Sequence, residues 1–357
     1  MQLGRHALFW IAVLIVSALL LRLLAPVLLP FVVGLALAYF VNPLVDFLGR
    51  MKIPRWLSAL LILIGATCIV GMALIFLLPV LAEQARSLIE AAPAEFERLR
   101  GIVETYARER FGNRSPAVET AVKNMLDSIS GALPDLTAMI AGKLWNQGFA
   151  AFNFLALMLV TPLVFFYALL DWPKLVARID SWLPRDHAQQ LRGLASEIDE
   201  RVSAFVRGQG TVCLILAVFY ATALSAIGLR YGLLVGLLTG LASFIPFAGW
   251  ALGLIAASIL GIVQYWPDVM SILLVPSVFL AGQALDAGFL GPKIVGSKVG
   301  LHPVWLIFAL LTFSYLFGFL GLLVAVPVSA AIGVLVRFGL RTYLASSVYN
   351  GQGASKG

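Results

Sequence analysis

Charge is what this chain has least of. Asp, Glu, Lys and Arg make up only 12% of 357 residues, against roughly 25% in a soluble domain. Hydrophobic residues reach 61% and mean hydropathy is +0.96, so the chain cannot clothe a water-facing surface and reads as an integral membrane protein. Cysteine is nearly missing: Cys68 and Cys213 each fall inside an apolar run, which excludes a disulfide framework. The three histidines, His6, His187 and His302, have no partners at metal-ligand spacing. No zinc site or cofactor is expected. With no clustered nucleophile and base and no metal set, an enzyme is the least supported class. The net charge of +7 is spread over loops between apolar runs rather than gathered with aromatics. It points to orientation on a membrane, not to nucleic acid.

What the chain has is apolar segments of membrane length. A hydrocarbon core of ~30 Å takes about 20 helical residues. Residues 7–29 give a first span, retained because no small-residue cleavage site follows Arg5 and its apolar run. Residues 31–48 give a second, joined to the first through Pro26 and Pro30. Near its end, Asn42-Pro43 is expected to break or kink the helix, since proline removes an amide donor. The loop 49–55 carries Arg50, Lys52 and Arg55 and no acid, the clearest cytoplasmic signal in the chain. Residues 57–81 make a third span. Composition then changes: residues 83–143 hold eight Lys/Arg and nine Asp/Glu with apolar residues at helical spacing, two amphipathic helices outside the hydrocarbon core. Residues 145–170 form a fourth span, and a second amphipathic stretch leads to a fifth at 211–229.

Two later segments are too long for one crossing. Residues 231–266 would make a helix of about 54 Å against a core of ~30 Å, and Pro246 and Gly249 interrupt them. Residues 302–336 repeat the arrangement, with Gly318 and Gly321 near the midpoint and Pro327 beyond. Both are expected to fold into helical hairpins, the first entering from outside and the second from the cytoplasm. Residues 269–285 form a span between them.

That span leads into LDAGFLGPKIVGSKVGLHP, residues 285–303, expected to be the working loop. Asp286 at bilayer depth costs roughly 2.5–3.5 kcal/mol unless paired or wetted. It is either a titrating or cation-binding group or an end-of-helix residue reaching the headgroups. Lys293 is its expected counter-charge, with Lys298 the next cation. Gly291, Pro292, Gly296 and Gly300 supply unusual backbone, and His302-Pro303 is either a proton-coupling element or a helix start. Gln209, Gln264 and Gln283 are candidate polar wall groups, or ordinary interhelical hydrogen bonders.

In order, AYFVNPL, the GQG before the fifth span, FIPFAG, an acid followed by GPKIVG, VGLHP and FGFLGLLVAVPVSA resemble the autoinducer-2 exporter (AI-2E) family of PerM-type permeases. The likeness covers nearly all of the membrane part. It implies an all-α, polytopic inner-membrane permease of about eight helical segments, export of an autoinducer-2-like signal or sodium (lithium)/proton antiport, and assembly into a homo-oligomer, a pentamer.

The organisation expected is residues 1–82 as three transmembrane helices, 83–144 as an extracytoplasmic amphipathic region and 145–171 as a fourth helix. Residues 172–208 follow as cytoplasmic amphipathic helices, 209–341 as a membrane region with the two hairpins, and 342–357 as a disordered tail. Both termini are expected in the cytoplasm. The function expected is a secondary transporter of a small polar solute or monovalent cation, with a passive channel or a membrane scaffold as the readings from other classes.

Overall fold

The structure is a computed structural model, and it describes residues 2–111, 120, 124, 147–295, 302–346 and 349. Its architecture is all-helical. The helices are α1 (Gln2–Arg50), α2 (Arg55–Phe111), α3 (Gln147–Ser181), α4 (Ala188–Ala226), α5 (Gly232–Ala242), α6 (Ala248–Tyr265), α7 (Val269–Leu285) and α8 (Pro303–Leu344). Among the described residues seven helices are long and apolar enough to cross a membrane, and α5 is a shorter apolar helix. The chain divides into two compact units. One contains Met1–Gly65, Ala156–Gly210 and Pro292–Gly357; the other contains Ala66–Leu155 and Thr211–Gly291.

In the first unit a small core joins three helices. Ala38 and Val45 of α1, Ala59 of α2, and Phe165 and Leu169 of α3 are buried together. The expected break at Asn42–Pro43 is not there: α1 runs on through Pro26, Pro30 and Pro43. Each proline removes one amide donor, but the flanking helical bonds hold the rod together in an apolar setting. The Asn42 side chain is engaged elsewhere, donating to Asp46 Oδ2 at 3.1 Å and accepting from Arg55 Nη2 at 3.3 Å.

The last apolar segment does reverse. Gly318 interrupts α8 with φ 61° and ψ −138°, a conformation that residues with a Cβ avoid. In a straight helix Phe313 and Gly321 would stand about 12 Å apart. Instead the Gly321 backbone lies so close to the Phe313 carbonyl that a Cβ there would overlap it. The chain has turned back on itself. Pro327 lies beyond the break, in the second arm.

In the second unit close backbone packing dominates. Gly232, Gly236 and Gly240 recur every fourth residue on α5 and lie against Leu224, Ala221 and Ala217 of α4, where any Cβ would collide with backbone. Small residues at this spacing let helices approach when lipid supplies no hydrophobic drive to join them. On α6, Gly253 makes room for Thr239 and Gly261 for Val275. α5 and α6 are the arms of the first hairpin. Between them the backbone turns through residues 243–247, with Pro246 in the turn and Phe247 at φ 67°. Gly249 lets α6 start directly against the Ser243 backbone.

The third expected span is only part of a longer rod. α2 continues without interruption to Phe111, so the first half of the amphipathic region extends the same helix. Arg86–Glu90 and Arg100–Glu104 ion pairs lie along it. The second expected amphipathic helix lies outside the described residues. Large apolar side chains such as Ile69, Ile75 and Phe76 remain exposed on α2, which suits a lipid-facing surface.

Candidate functional site

Asp286 follows directly on α7. Its backbone N–H bonds back to Gly282 and Gln283 carbonyls, so the turn it closes is still helical. The expected working loop is a correction here: residues Asp286–Val295 continue as a π-helical segment. Pro292 has no amide hydrogen to give to an ordinary α-helical ladder. Wider turns of this kind recur where helices carry function. Gly291 fits closely, since a Cβ would come within 3.0 Å of the Asp286 carbonyl oxygen.

Asp286 belongs to the second unit, with Thr211–Gly291. It is half-buried, and on α4 of the same unit Cys213 and Tyr220 are buried. Tyr220 is held in place: its ring stacks on Phe279 at 4.9 Å between centroids, and Gly282 leaves the space its phenol occupies. The Trp250 indole donates to the Phe279 carbonyl at 3.3 Å, tying α6 to the same wall.

The other expected site residues take different places in the chain's elements. Gln283 is exposed, three residues before Asp286. Lys293 lies on the same π-helical segment as Asp286, and Gln209 lies on α4. Gln264 makes hydrogen bonds between elements, the second of its expected roles: its Nε2 donates to the Gly228 carbonyl at 2.8 Å, and its Oε1 accepts from the Arg230 amide at 2.9 Å. Both ends of the amide are thus spent on the turn between α4 and α5. His302 is a helix start, with Nδ1 accepting from the Val304 amide at 3.3 Å just before Pro303. Gly296, Lys298 and Gly300 lie outside the described residues.

The first unit holds a site that the sequence reading passed over. A cavity of about 200 Å³ opens between α1, α3 and α4. Its polar wall is Tyr39, Asn42, Trp172, Asp199, Ser203 and Arg207. The Tyr39 hydroxyl donates to Asp199 Oδ1 at 2.9 Å, and Trp172 meets the Tyr39 ring edge-on at 5.2 Å. Arg55 braces the same end of the unit, donating to the Leu169 carbonyl at 2.8 Å and lying 3.7 Å from Asp46. Asp199, Ser203 and Arg207 recur every fourth residue, a signal readable in sequence; Tyr39 is 160 positions from Asp199, and no local pattern joins them.

A sequence model of the family described as AI-2E family transporter matches residues 8–341. The chain belongs to the AI-2E transporter family. It is therefore a multi-pass membrane transporter, which agrees with its apolar helices. It is similar to YrrI of Bacillus subtilis, 26% identical over 88% of this chain and 86% of that one. The AI-2 transport protein TqsA of Escherichia coli is 23% identical over 88% of this chain and 87% of its own length. PerM of Escherichia coli is 23% identical, covering 86% of both.

Proposed function

We propose that this AI-2E family transporter is a secondary carrier that exports a small polar solute of the autoinducer-2 type, with proton or sodium coupling at Asp286. The observation that carries the reading is the half-buried carboxylate of Asp286 at the junction of α7 with a π-helical segment. A group that costs several kcal/mol at membrane depth is retained where the helix leaves regular geometry. The reversal between α5 and α6 in the same unit supports it, because interrupted helices turn backbone carbonyls and amides toward a solute. The name of the relative TqsA, an AI-2 transport protein, supports the solute class.

Sodium (lithium)/proton antiport is the second reading, and the half-burial of Asp286 favours it, since one carboxylate can exchange a proton for a small cation. In either reading the chain lies in the inner membrane with both termini in the cytoplasm and acts as a homo-oligomer, pentameric by family resemblance. Cysteine replacing Arg192 should then label only after permeabilisation, and cysteine replacing Arg110 should label from outside; the reverse pattern contradicts this orientation.

Transport by purified protein in proteoliposomes tests the function. Saturable flux of an autoinducer-2-like solute driven by an imposed proton or sodium gradient is expected. Unsaturated downhill leakage would instead make the protein a passive channel, and cation–proton exchange without solute flux would select the antiporter.

A further inference from the structure

We propose that the loop joining α1 to α2 binds anionic phospholipid, taking the phosphodiester headgroup between Arg50 and Lys52. This goes beyond the carrier reading, which names no lipid, and it does not depend on Asp286.

Position comes first. The loop stands between two apolar segments each long enough to cross a membrane, Val27–Arg50 and Arg55–Tyr106, so it lies at a membrane face. Its flanking side chains set the depth. Leu44, Phe47 and Met51 follow one another at i, i+3 and i+7, which places them on one face at the end of α1, and each is more than half exposed. Trp56, at the start of α2, is more than half exposed as well. Bare apolar side chains of this size are at home in the boundary layer of a bilayer, where tryptophan in particular is favoured. The cations between them are thereby held among the headgroups.

Charge selects the lipid. From residue 47 to residue 65 there is no Asp or Glu, against Arg50, Lys52 and Arg55. Arg55 is already engaged, 3.7 Å from Asp46 and donating to the Leu169 carbonyl and to Asn42. Arg50 and Lys52 are exposed, and their side chains make no hydrogen bond or ion pair among the described residues. Two cations therefore face the surface. A headgroup of net negative charge is drawn to such a pair, whereas one with its own ammonium brings a charge of the wrong sign. The Arg50 fork matches two phosphate oxygens, and the Lys52 ammonium adds a point charge.

The backbone of the loop makes the idea easy to test. The Lys52 amide bonds to the Gly49 carbonyl at 3.0 Å and the Ile53 amide to the Leu48 carbonyl at 3.3 Å, closing α1 with Lys52 at φ 64°. Helix ends of this form favour glycine at that position. Replacing Lys52 by glycine removes the charge and eases the fold at once.

Native mass spectrometry of the full chain, with phosphatidylglycerol and phosphatidylcholine of matched acyl chains as probes, measures the preference. Wild type should favour phosphatidylglycerol, and Arg50→Gln and Lys52→Gly should each lower that preference about fivefold, the worth of one surface cation. Lys52→Arg should keep it. The Tm of Lys52→Gly without added phosphatidylglycerol should equal or exceed that of wild type, so a lost preference there is not lost folding. Should Arg50→Gln fail to fold, Lys52→Gly decides alone. Equal binding of the two lipids by wild type overturns the proposal, as does a preference unchanged in both neutral variants. Displacement of phosphatidylglycerol by millimolar inorganic phosphate also overturns it, since the loop would then bind free phosphate and not lipid.

Discussion

Two apolar segments reverse direction in this protein, and they do so by different means. Between α5 and α6 the turn is spread over residues 243–247 and carries its own backbone bonds, Ser243 to Thr239, Phe244 to Leu241 and Ile245 to Ala242. In α8 the helical conformation is broken at Gly318. The first turn keeps these three amides occupied, which matters where lipid cannot solvate them. It even holds a non-glycine residue, Phe247, at positive φ. The second depends on the one residue type without a Cβ. The lesson is that similar sequence interruptions can produce a distributed turn or a concentrated one, and the concentrated one should be the more fragile.

The largest effect is expected where the arms touch. Gly321→Ala places a Cβ into the Phe313 carbonyl and should lower stability by about 3 kcal/mol, the upper range for overpacking, read by thermal unfolding in detergent. Gly249→Ala, which meets the Ser243 backbone, should cost a similar amount. If one is tolerated and the other not, the arms are not packed with comparable closeness.

Next come the turn residues themselves. Gly318→Ala should cost about 1–3 kcal/mol through backbone strain alone, because nothing lies within reach of its Cβ. Phe247→Gly relieves its positive φ, and its side chain is 62% exposed, so stability should change by less than about 1 kcal/mol. Equal losses at Gly318 and Phe247 would erase the distinction between the two turns.

The smallest effect concerns the helix after the first hairpin. Asp268 caps α7, accepting from the Met270 and Ser271 amides, and its hydrogen bonds with Ser271 hold its carboxyl below the usual aspartate value. The ionised form is the one stabilised. The cap's contribution is therefore complete above about pH 3.9, the unfolded aspartate value, and is lost as pH falls through the lower folded value. The Tm difference between wild type and Asp268→Asn should stay constant from neutral pH to about pH 5 and shrink below about pH 3.9. A difference that grows on acidification would contradict the cap.

Much of this fold was legible. Proline and glycine inside apolar runs too long for one crossing announce both reversals, and the span expected at residues 269–285 is the helix Val269–Leu285. The continuity of α1 through three prolines was not legible, because proline signals a break without revealing whether neighbouring bonds can bridge it. Nor was the full length of α2, whose change from apolar to amphipathic composition looks like a boundary even though the helix does not stop. The spacing of Gly232, Gly236 and Gly240 was in plain view, but the Ala217 and Ala221 backbones they meet become visible only in the fold. At the candidate sites, Asp286 stands out by charge alone. Gln264 looks equally polar and is consumed by a turn, and the Tyr39–Asp199 pair depends on a contact across most of the first unit's sequence.

The account's central claim is that Asp286 couples transport, and the most direct measurement is gradient-driven solute flux in proteoliposomes holding wild type or Asp286→Asn at equal reconstituted amounts. The account predicts saturable flux for wild type and at least tenfold less for the variant, which should insert and fold as before. Undiminished gradient-driven flux in the variant would contradict it.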